Sequence, residues 1–356
     1  MKKGKNKPHT KMVRGKKVIV ALSGGVDSSV AAALLKRAGF DVEGIFFRLY
    51  DLSSLKEEER SAKKIAEVLK IPFSILDLRK EFKEKIIRYF LKEQKAGRTP
   101  NPCVLCNKEI KFNFLIKEAQ KQKADFVATG HYAKIKNSRI YRAKDKNKDQ
   151  SYFLWRINRT QLNKILFPIG EMDSKDKTRQ IARKMNLPVF NKAESQEICF
   201  IKEKLKDFLK KNLKTNCGFI IDKKGKIIGE HQGLYFYTIG QRKGIDIKKG
   251  NGKIWYVLEK NVKTNSLVVT CDEKDLEKKE LIAKDTNWLS GEKPKSPLKI
   301  KTKIRSRSPL VPAKIIQGTG NSLKVIFDKP QKAITHGQSA VFFKGEELIG
   351  GGIISK

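Results

Sequence analysis

The sequence predicts an α/β protein in three parts: a parallel-sheet domain, a small β-rich central domain and a C-terminal β-barrel. Two textures and one turn carry that prediction. Through about residue 208, apolar strand-like runs alternate with helical ones, which implies a parallel sheet covered on both faces. At Ser23–Ser29 a Gly-rich turn joins the first such strand to the first such helix. From about residue 210, short strand-like runs divided by Gly, Asn and Lys turns take over, the spacing of small β domains and barrels. The expected divisions are a basic arm at 1–16, a first domain at 17–208, a central domain at 209–278 and a last domain at 279–356.

Val18–Leu22 is a continuous β-branched run fit for a buried strand, and Val30–Leu35 has the Ala/Leu composition of a helix packed closely on a sheet. Val42–Phe47 and Phe73–Leu76 read as further strands. Ala62, Ile65, Ala66 and Leu69 recur at helical spacing within Glu57–Leu69, as do Phe82, Ile86, Tyr89 and Phe90 within Phe82–Leu91. Gly97–Pro102 (G-R-T-P-N-P) is a loop. Cys103 and Cys106 follow it, then a helix through Phe114–Ala119 and a strand at Asp125–Thr129. Lys144–Gln150 is a charged loop and Ser151–Trp155 an aromatic segment, with Tyr152, Phe153 and Trp155 read as core. Helices are expected near Thr160–Ile165 and Lys175–Met185. One β series follows at Gly218–Asp222, Ile227–Gly229, Tyr235–Thr238, Ile254–Leu258 and Ser266–Thr270. A second comprises Leu281–Lys284, Leu298–Arg305, Ala313–Gln317, Ser322–Phe327, Ser339–Phe343 and Leu348–Ile354. The boundary between them falls near Glu277–Glu280, and Gly350–Gly352 reads as a barrel bulge rather than a phosphate cradle.

A chain of 356 residues is long enough for a proper core and two or three domains. No apolar run is long enough to span a bilayer, and the Lys-rich start, Met1–Lys17, lacks the apolar centre of a secretory signal. The expectation is a soluble, cytoplasmic protein with no membrane partner. The balance of 78 basic against 38 acidic residues gives a formal charge of +40, which points to a nucleic-acid partner. Five cysteines are too few and too scattered for a disulfide framework, so any special ones are reactive or metal-bound.

The run Ser23–Ser29 (S-G-G-V-D-S-S) is suited to phosphate. Gly24 and Gly25 let the backbone approach an anion, while the unpaired N–H groups and positive end of the helix attract it. Ser23, Ser28 and Ser29 add hydroxyls, and Asp27 is placed to cap the helix or hold magnesium. No Lys follows the glycines as in a Walker A loop, and no G-x-G-x-x-G is present. Cys103 and Cys106 form a C-x-x-C pair, but the four histidines (His9, His131, His231 and His336) offer no zinc-like spacing. Cys199 follows a polar approach, Glu194–Glu197. A cysteine on a loop near a helix start, with Lys108 close in sequence, is expected to have a depressed pKa and act as a nucleophile. The plainer alternative is three unrelated thiols. Tyr237–Gly244 fits either an ordinary hairpin or, through Gln241, Arg242 and Lys243, a contact to an RNA backbone.

S-G-G-x-D-S is similar to the signature of the pyrophosphatase-loop (adenine nucleotide α-hydrolase-like) ATP enzymes, which cleave ATP between its α- and β-phosphates. Further motifs follow in order: G-R-T-P-N-P-x-x-x-C-N-K-E-I-K-F, T-G-H-Y-A, K-D-Q-S-Y-F-L-W, E-S-Q-E-I-C-F, G-x-Y-x-Y-T-I-G-Q-R-K-G and H-G-Q-S-A-V-F. Together, from about Lys17 to Lys356, they resemble the bacterial tRNA-specific 2-thiouridylase family. The resemblance implies thiolation of C2 of the wobble uridine with ATP and Mg2+. Ala21, Leu22, Ser23, Gly24, Gly25, Val26, Asp27 and Ser28 would bind the phosphates, with Phe47 and Gly130 on the adenine side. Cys106 would be the catalytic cysteine and Cys199 the persulfide carrier, and the two would end each turnover as a disulfide. Asn101, Pro102 and Cys103 would meet the target base, and Lys148, Asp149 and Gln150 the anticodon loop. His131, Arg305, Ser306 and Gln338 would make further tRNA contacts. A sulfur-relay protein or a cysteine desulfurase would deliver the sulfur.

One departure stands out: many members have Asp where this chain has Cys103. If that Asp moves a proton, Cys103 changes or transfers the role. Alternatively, Cys103, Cys106 and Cys199 could ligate an iron–sulfur cluster, the less favoured reading. Two rival functions are an ATP enzyme adenylating a small acceptor, as argininosuccinate or GMP synthetases do, and a non-enzymatic RNA-binding protein. The basic surface and the Cys106/Cys199 pair argue against the first; intact Ser23, Gly24, Gly25, Asp27 and Ser28 argue against the second.

Overall fold

Val18, Ile19 and Val20 are fully buried because their strand, β1 (Lys17–Ala21), runs between two parallel neighbours, β2 (Asp41–Arg48) and β4 (Phe126–Ala128). The computed structural model describes residues 14–193, 198–201, 203–247, 252–318, 320 and 322–355. Most of the basic arm and the Glu194–Glu197 approach to Cys199 lie outside them. The chain divides into two compact units. One takes the chain up to Lys83 with Leu105–Gln196 and Glu346–Leu348; the other takes Glu84–Val104, Glu197–Gly345 and Ile349–Lys356.

In the first unit β3 (Phe73–Asp77) lies outside β2, and β7 (Ile165–Leu166) outside β4, giving the parallel order β3-β2-β1-β4-β7. Helix α1 (Val26–Arg37) buries Val30, Ala31, Ala32 and Ala33 completely; small side chains let it settle close to the sheet. Helix α2 (Ser53–Leu69) buries Leu55, Ala62, Ile65, Ala66 and Leu69 at the predicted helical spacing. After β1 the chain steps outward to β2 and β3, then returns to the other side at β4. The carboxyl ends of β1 and β4 therefore flank a topological switch point, where α/β sheets bind ligands. Strands β5 (Ala133–Lys136) and β6 (Arg139–Arg142) form a hairpin whose turn puts Asn137 and Ser138 at positive φ, and β6 pairs with Glu347 and Leu348. The expected helix near Thr160–Ile165 is instead a 3-10 stretch, Arg159–Lys164, because Ile165 and Leu166 pair with β4 as β7.

The second unit contains a four-stranded sheet and a barrel. The sheet runs in the order β10 (Tyr256–Asn261), β11 (Ser266–Thr270), β8 (Gly218–Ile221), β9 (Ile227–His231). Tyr235–Thr238, expected as a strand, is partly a 3-10 turn at Leu234–Phe236, with Leu234 and Tyr237 in the core of this sheet. The barrel strands are β12 (Glu277–Trp288), β13 (Leu298–Lys303), β14 (Val311–Gln317), β15 (Leu323–Lys332), β16 (Ser339–Lys344) and β17 (Glu347–Ser355). Their order is β12-β15-β14-β13-β16-β17, closed by β12 pairing with β17. The bulge is on β12, between Lys284 and Asn287; Gly350 and Gly352 lie opposite because a Cβ on Gly350 would come within 2.3 Å of the Asn287 carbonyl oxygen. Leu281, Val325, Phe327 and Phe342 fill the interior. The segment Glu84–Val104 packs with this unit: the Phe90 ring lies 5.7 Å from that of Phe200 and 6.3 Å from that of Phe208.

Candidate active site

The turn after β1 is built around serine and glycine. Ser23 N–H donates to Ser28 Oγ (3.1 Å), and Ser28 Oγ donates to the Gly25 carbonyl (3.2 Å), so the loop closes on the first turn of α1. Gly25 is the N-cap, with no side-chain hydrogen bond, which leaves the helix N-terminus open to an anion. Gly24 adopts φ +67°, and a Cβ there would sit 2.2 Å from the Glu58 carbonyl oxygen on α2. Gly130, after β4, is equally constrained: its Cβ would lie 2.6 Å from Ser28 N. Ala21 ends β1, Leu22 and Val26 are buried beneath the loop, and Phe47 is buried near the end of β2.

Asp27 does not cap the helix, contrary to the sequence expectation. Its carboxylate instead accepts Lys175 Nζ at 2.6 and 2.7 Å and Tyr132 Oη at 3.0 Å. Tyr132 Oη also shares a hydrogen bond with Thr178 Oγ1 (2.9 Å). Lys192 Nζ donates to the Gly24 carbonyl at 2.9 Å. Lys175, Lys192 and Tyr132 are site residues that the sequence reading missed. The two lysines are hidden among 78 basic residues; only the position of Tyr132 inside T-G-H-Y-A hinted at a role. A resident Mg2+ does not fit here, since both Asp27 oxygens face an ammonium group. Among the described residues no three His, Cys, Asp or Glu side chains are disposed to hold a metal ion.

The K-D-Q loop is committed inward. Asp149 accepts Arg142 Nε (3.0 Å) and the N–H groups of Ala143 and Ser151, and its side chain is wholly buried. Gln150 Oε1 accepts the Tyr132 N–H (2.9 Å), so this motif holds the tyrosine that holds Asp27; Lys148 is half-buried. His131 is buried beside the Phe112 and Phe167 rings, 5.9 and 6.1 Å away, with Nδ1 2.8 Å from Thr129 Oγ1. Burial, aided by the Lys111 charge, pushes its pKa down to about 3, so the ring is neutral at physiological pH.

Cys106 is not on a loop. The chain is helical from Pro102: α3 (Pro102–Cys106), then a π-helical stretch (Asn107–Phe112), then α4 (Asn113–Lys121). Pro102 starts this helix, as its fixed φ favours, and Cys103 rather than Cys106 occupies the first turn. Cys106 is buried at the junction with the π stretch, a geometry common at functional sites. Lys108 pairs with Glu109 at 3.6 Å. Asn107, also missed, donates to the Phe153 carbonyl (3.0 Å) and keeps a buried Oδ1 with no hydrogen-bond partner among the described residues. Asn101 and Cys103 are half-buried, as is Cys199, whose neighbour Phe200 stacks edge-on against Phe90 and Phe208. Arg305 donates to the carbonyls of Ile239 and Ala333 and to Thr335 Oγ1, the Ser306 carbonyl accepts Lys303 Nζ, and Gln338 donates to the Thr99 carbonyl.

A parallel sheet with an anion-binding turn at its switch point, a helix carrying a buried cysteine, and a following β-sheet and barrel together define an ATP-using enzyme of the HUP-domain class. Family models match in the same order: a "tRNA methyl transferase HUP domain" over residues 16–203, a "tRNA methyl transferase PRC-barrel domain" over 206–271 and an "aminomethyltransferase beta-barrel domain" over 278–354. The chain belongs to the tRNA-specific 2-thiouridylase (MnmA) family. It is 43% identical to the Clostridioides difficile (strain 630) tRNA-specific 2-thiouridylase MnmA, covering 97% of this chain and 99% of that protein. The Alkaliphilus oremlandii enzyme of the same name is 42% identical, covering 98% and 99%. No helix among the described residues is long and apolar enough to cross a membrane.

Proposed function

We propose that this protein is an ATP-dependent tRNA-uridine 2-sulfurtransferase acting on the wobble uridine. The observation that carries the reading is the serine-glycine turn at the switch point, with its helix N-terminus open to phosphate, in a chain of this family. The C2 oxygen of uracil is a poor leaving group. Bound by Ala21–Ser28, with Phe47 and Gly130 on the adenine side, ATP would be attacked at its α-phosphate by that oxygen. The bond between the α-phosphorus and the bridging oxygen breaks, pyrophosphate leaves, and AMP is joined to the base. The open amides of the turn stabilise the developing phosphate charge. Mg2+ would enter bound to ATP.

The sulfur then comes from a persulfide on Cys199, loaded by a sulfur-donor protein. In one route its terminal sulfur attacks C2 and expels AMP; Cys106 then attacks Cys199 Sγ, releasing the thiolated base. In the other, Cys106 attacks first and frees sulfide, which displaces AMP. Both routes leave a Cys106–Cys199 disulfide that an external thiol must reduce. The base would be flipped towards Asn101–Cys103, and Lys148 and the Arg305–Ser306 turn would lie on the tRNA side. The proposed setting is the cytoplasm, where both ATP and tRNA are available.

The test supplies purified protein with tRNA, ATP and a cysteine desulfurase, and measures nucleosides by mass spectrometry. 2-Thiouridine is expected from wild type and absent with Cys199→Ser, which keeps tRNA-dependent pyrophosphate release. No product from wild type sinks the function; normal product from Cys199→Ser sinks the persulfide role. ATP consumption independent of tRNA would instead favour a small acceptor.

A further inference from the structure

The serine-glycine turn after β1 is held by a lysine from far along the chain. Lys192 Nζ donates to the Gly24 carbonyl at 2.9 Å and, more weakly, to Ser61 Oγ on α2 at 3.5 Å. The segment carrying that lysine is itself fixed. Arg179, on the helix Lys175–Lys184, donates to the carbonyls of Phe190 (2.6 Å) and Lys192 (2.8 Å). The Lys192 N–H closes a turn onto the carbonyl of Val189, whose side chain is buried. The ammonium group is therefore aimed at one backbone carbonyl from a braced support.

The other end of the same peptide matters for an anion. The Gly24–Gly25 peptide is trans, so the Gly25 N–H points opposite to the Gly24 carbonyl. Among the described residues that N–H meets no acceptor, and it belongs to the N-cap of α1. A peptide between two glycines is also the easiest kind to turn over. A flip changes only ψ of Gly24 and φ of Gly25, and glycine accepts both outcomes. Turned over, the peptide would present its carbonyl to the phosphates and repel them. The cation on the carbonyl opposes the flip with a charge-assisted hydrogen bond, and it polarises the peptide so that the N–H becomes a stronger donor.

We propose that Lys192 is a positioning residue for ATP: it pins the Gly24–Gly25 peptide in the orientation that offers the Gly25 N–H to the phosphates. This rests on the functional reading above, in which the turn binds ATP. The geometry makes a specific demand, because the need for Lys192 depends on residue 25 being glycine. Alanine at 25 suits the backbone as it stands, with φ −108° and Ser23 Oγ at 3.5 Å as its nearest neighbour. The flipped form would move residue 25 to positive φ, which alanine resists. Alanine at 25 therefore does part of the work of Lys192. A lysine acting only as a direct phosphate ligand would show no such dependence.

The experiment is a double-mutant cycle on wild type, Lys192→Met, Gly25→Ala and the two changes combined. The probe is α,β-methylene-ATP with Mg2+, which cannot be cleaved at the α–β bridge, and its Kd is read by calorimetry on the full chain. Lys192→Met is expected to weaken binding roughly tenfold when residue 25 is glycine. Measured against Gly25→Ala alone, the same change should weaken it by no more than about twofold. Thermal melts check that each variant is folded. An equal loss in both backgrounds makes Lys192 a direct phosphate ligand and overturns the proposal, as does a Kd that Lys192→Met leaves unchanged. If the methionine variant does not fold, Lys192→Gln, with a shorter and uncharged donor, is carried through the same cycle. A wild type that binds no analogue brings down the functional reading and this proposal together. A wild type that binds it while the cycle shows no coupling refutes the role of Lys192 alone.

Discussion

Gly24→Ala is the sharpest probe of the phosphate-binding turn, because its cost can be worked from contacts. An alanine held at φ +67° carries a left-handed penalty of roughly 1–2 kcal/mol. Its Cβ would also lie 2.2 Å from the Glu58 carbonyl oxygen, a backbone atom that cannot rotate away. Restoring normal contact moves the α2 main chain by about 1 Å, which in a packed layer adds roughly 1–3 kcal/mol. The sum, about 2–5 kcal/mol, should lower the melting midpoint of the first unit by roughly 5–15 °C. Gly25→Ala is the control. Gly25 has an ordinary extended backbone, φ −108° and ψ 167°, and its nearest Cβ neighbour is Ser23 Oγ at 3.5 Å. Its stability should stay close to wild type, within roughly 0.5 kcal/mol. Thermal melts and calorimetric ATP titration read both variants. A Gly24→Ala protein that melts with wild type and binds ATP equally well would show that α2 yields freely and that the contact argument is wrong.

Three further outcomes follow from the buried polar groups. Tyr132→Phe removes the hydroxyl that joins Asp27 to Thr178 and should cost roughly 1–2 kcal/mol while slowing tRNA-dependent pyrophosphate release; unchanged release detaches this network from the loop. His131 has a folded pKa of about 3 against 6.5, so the unfolded chain binds the extra proton between those values and stability falls as pH drops below 6.5. That loss approaches about 2 kcal/mol at about pH 5, and His131→Asn should flatten the slope in urea titrations; an identical slope refutes the burial argument. Lys260 is buried with its Nζ on the Tyr237 carbonyl, and burial lowers its pKa to about 8 from 10.5. The folded state is therefore penalised most below pH 8 and recovers as pH rises towards 10.5. Lys260→Met should be the more stable protein at pH 7, with its advantage shrinking near pH 10; a less stable variant at pH 7 means that the lost hydrogen bond outweighs the desolvation.

The architecture was legible where burial imposes a period. The β-branched run before Ser23, the Ala-rich run after it and the Ala62–Leu69 spacing became β1, α1 and α2 because sheet and helix faces demand those patterns. The hairpin of β5 and β6 escaped notice: Lys134, Lys136, Arg139 and Arg142 mask its alternation, and Asn137-Ser138 is a weaker turn signal than a pair with glycine. Cys106 was misplaced for a related reason. The two prolines and glycine of Gly97–Pro102 read as a loop with no stop before the cysteines, whereas Pro102 in fact opens the helix.

The polar residues of the site mark the deeper limit of sequence reading. G-H-Y-A and K-D-Q each point to RNA when read as motifs. In the fold, however, Gln150 holds the Tyr132 backbone, Asp149 holds Arg142 and two amides, and His131 is buried and uncharged. Spacing along the chain identifies residues that act together; it carries no information about which of them face the partner and which hold the others in place. That division depends on desolvation. A side chain already hydrogen-bonded inside the protein would have to give up those bonds to meet RNA, at a cost of about 1–3 kcal/mol for each group left unpaired. Any RNA contact made by Asp149 or Gln150 would carry that cost, so it would have to be offset by the charge and hydrogen bonds gained from the partner.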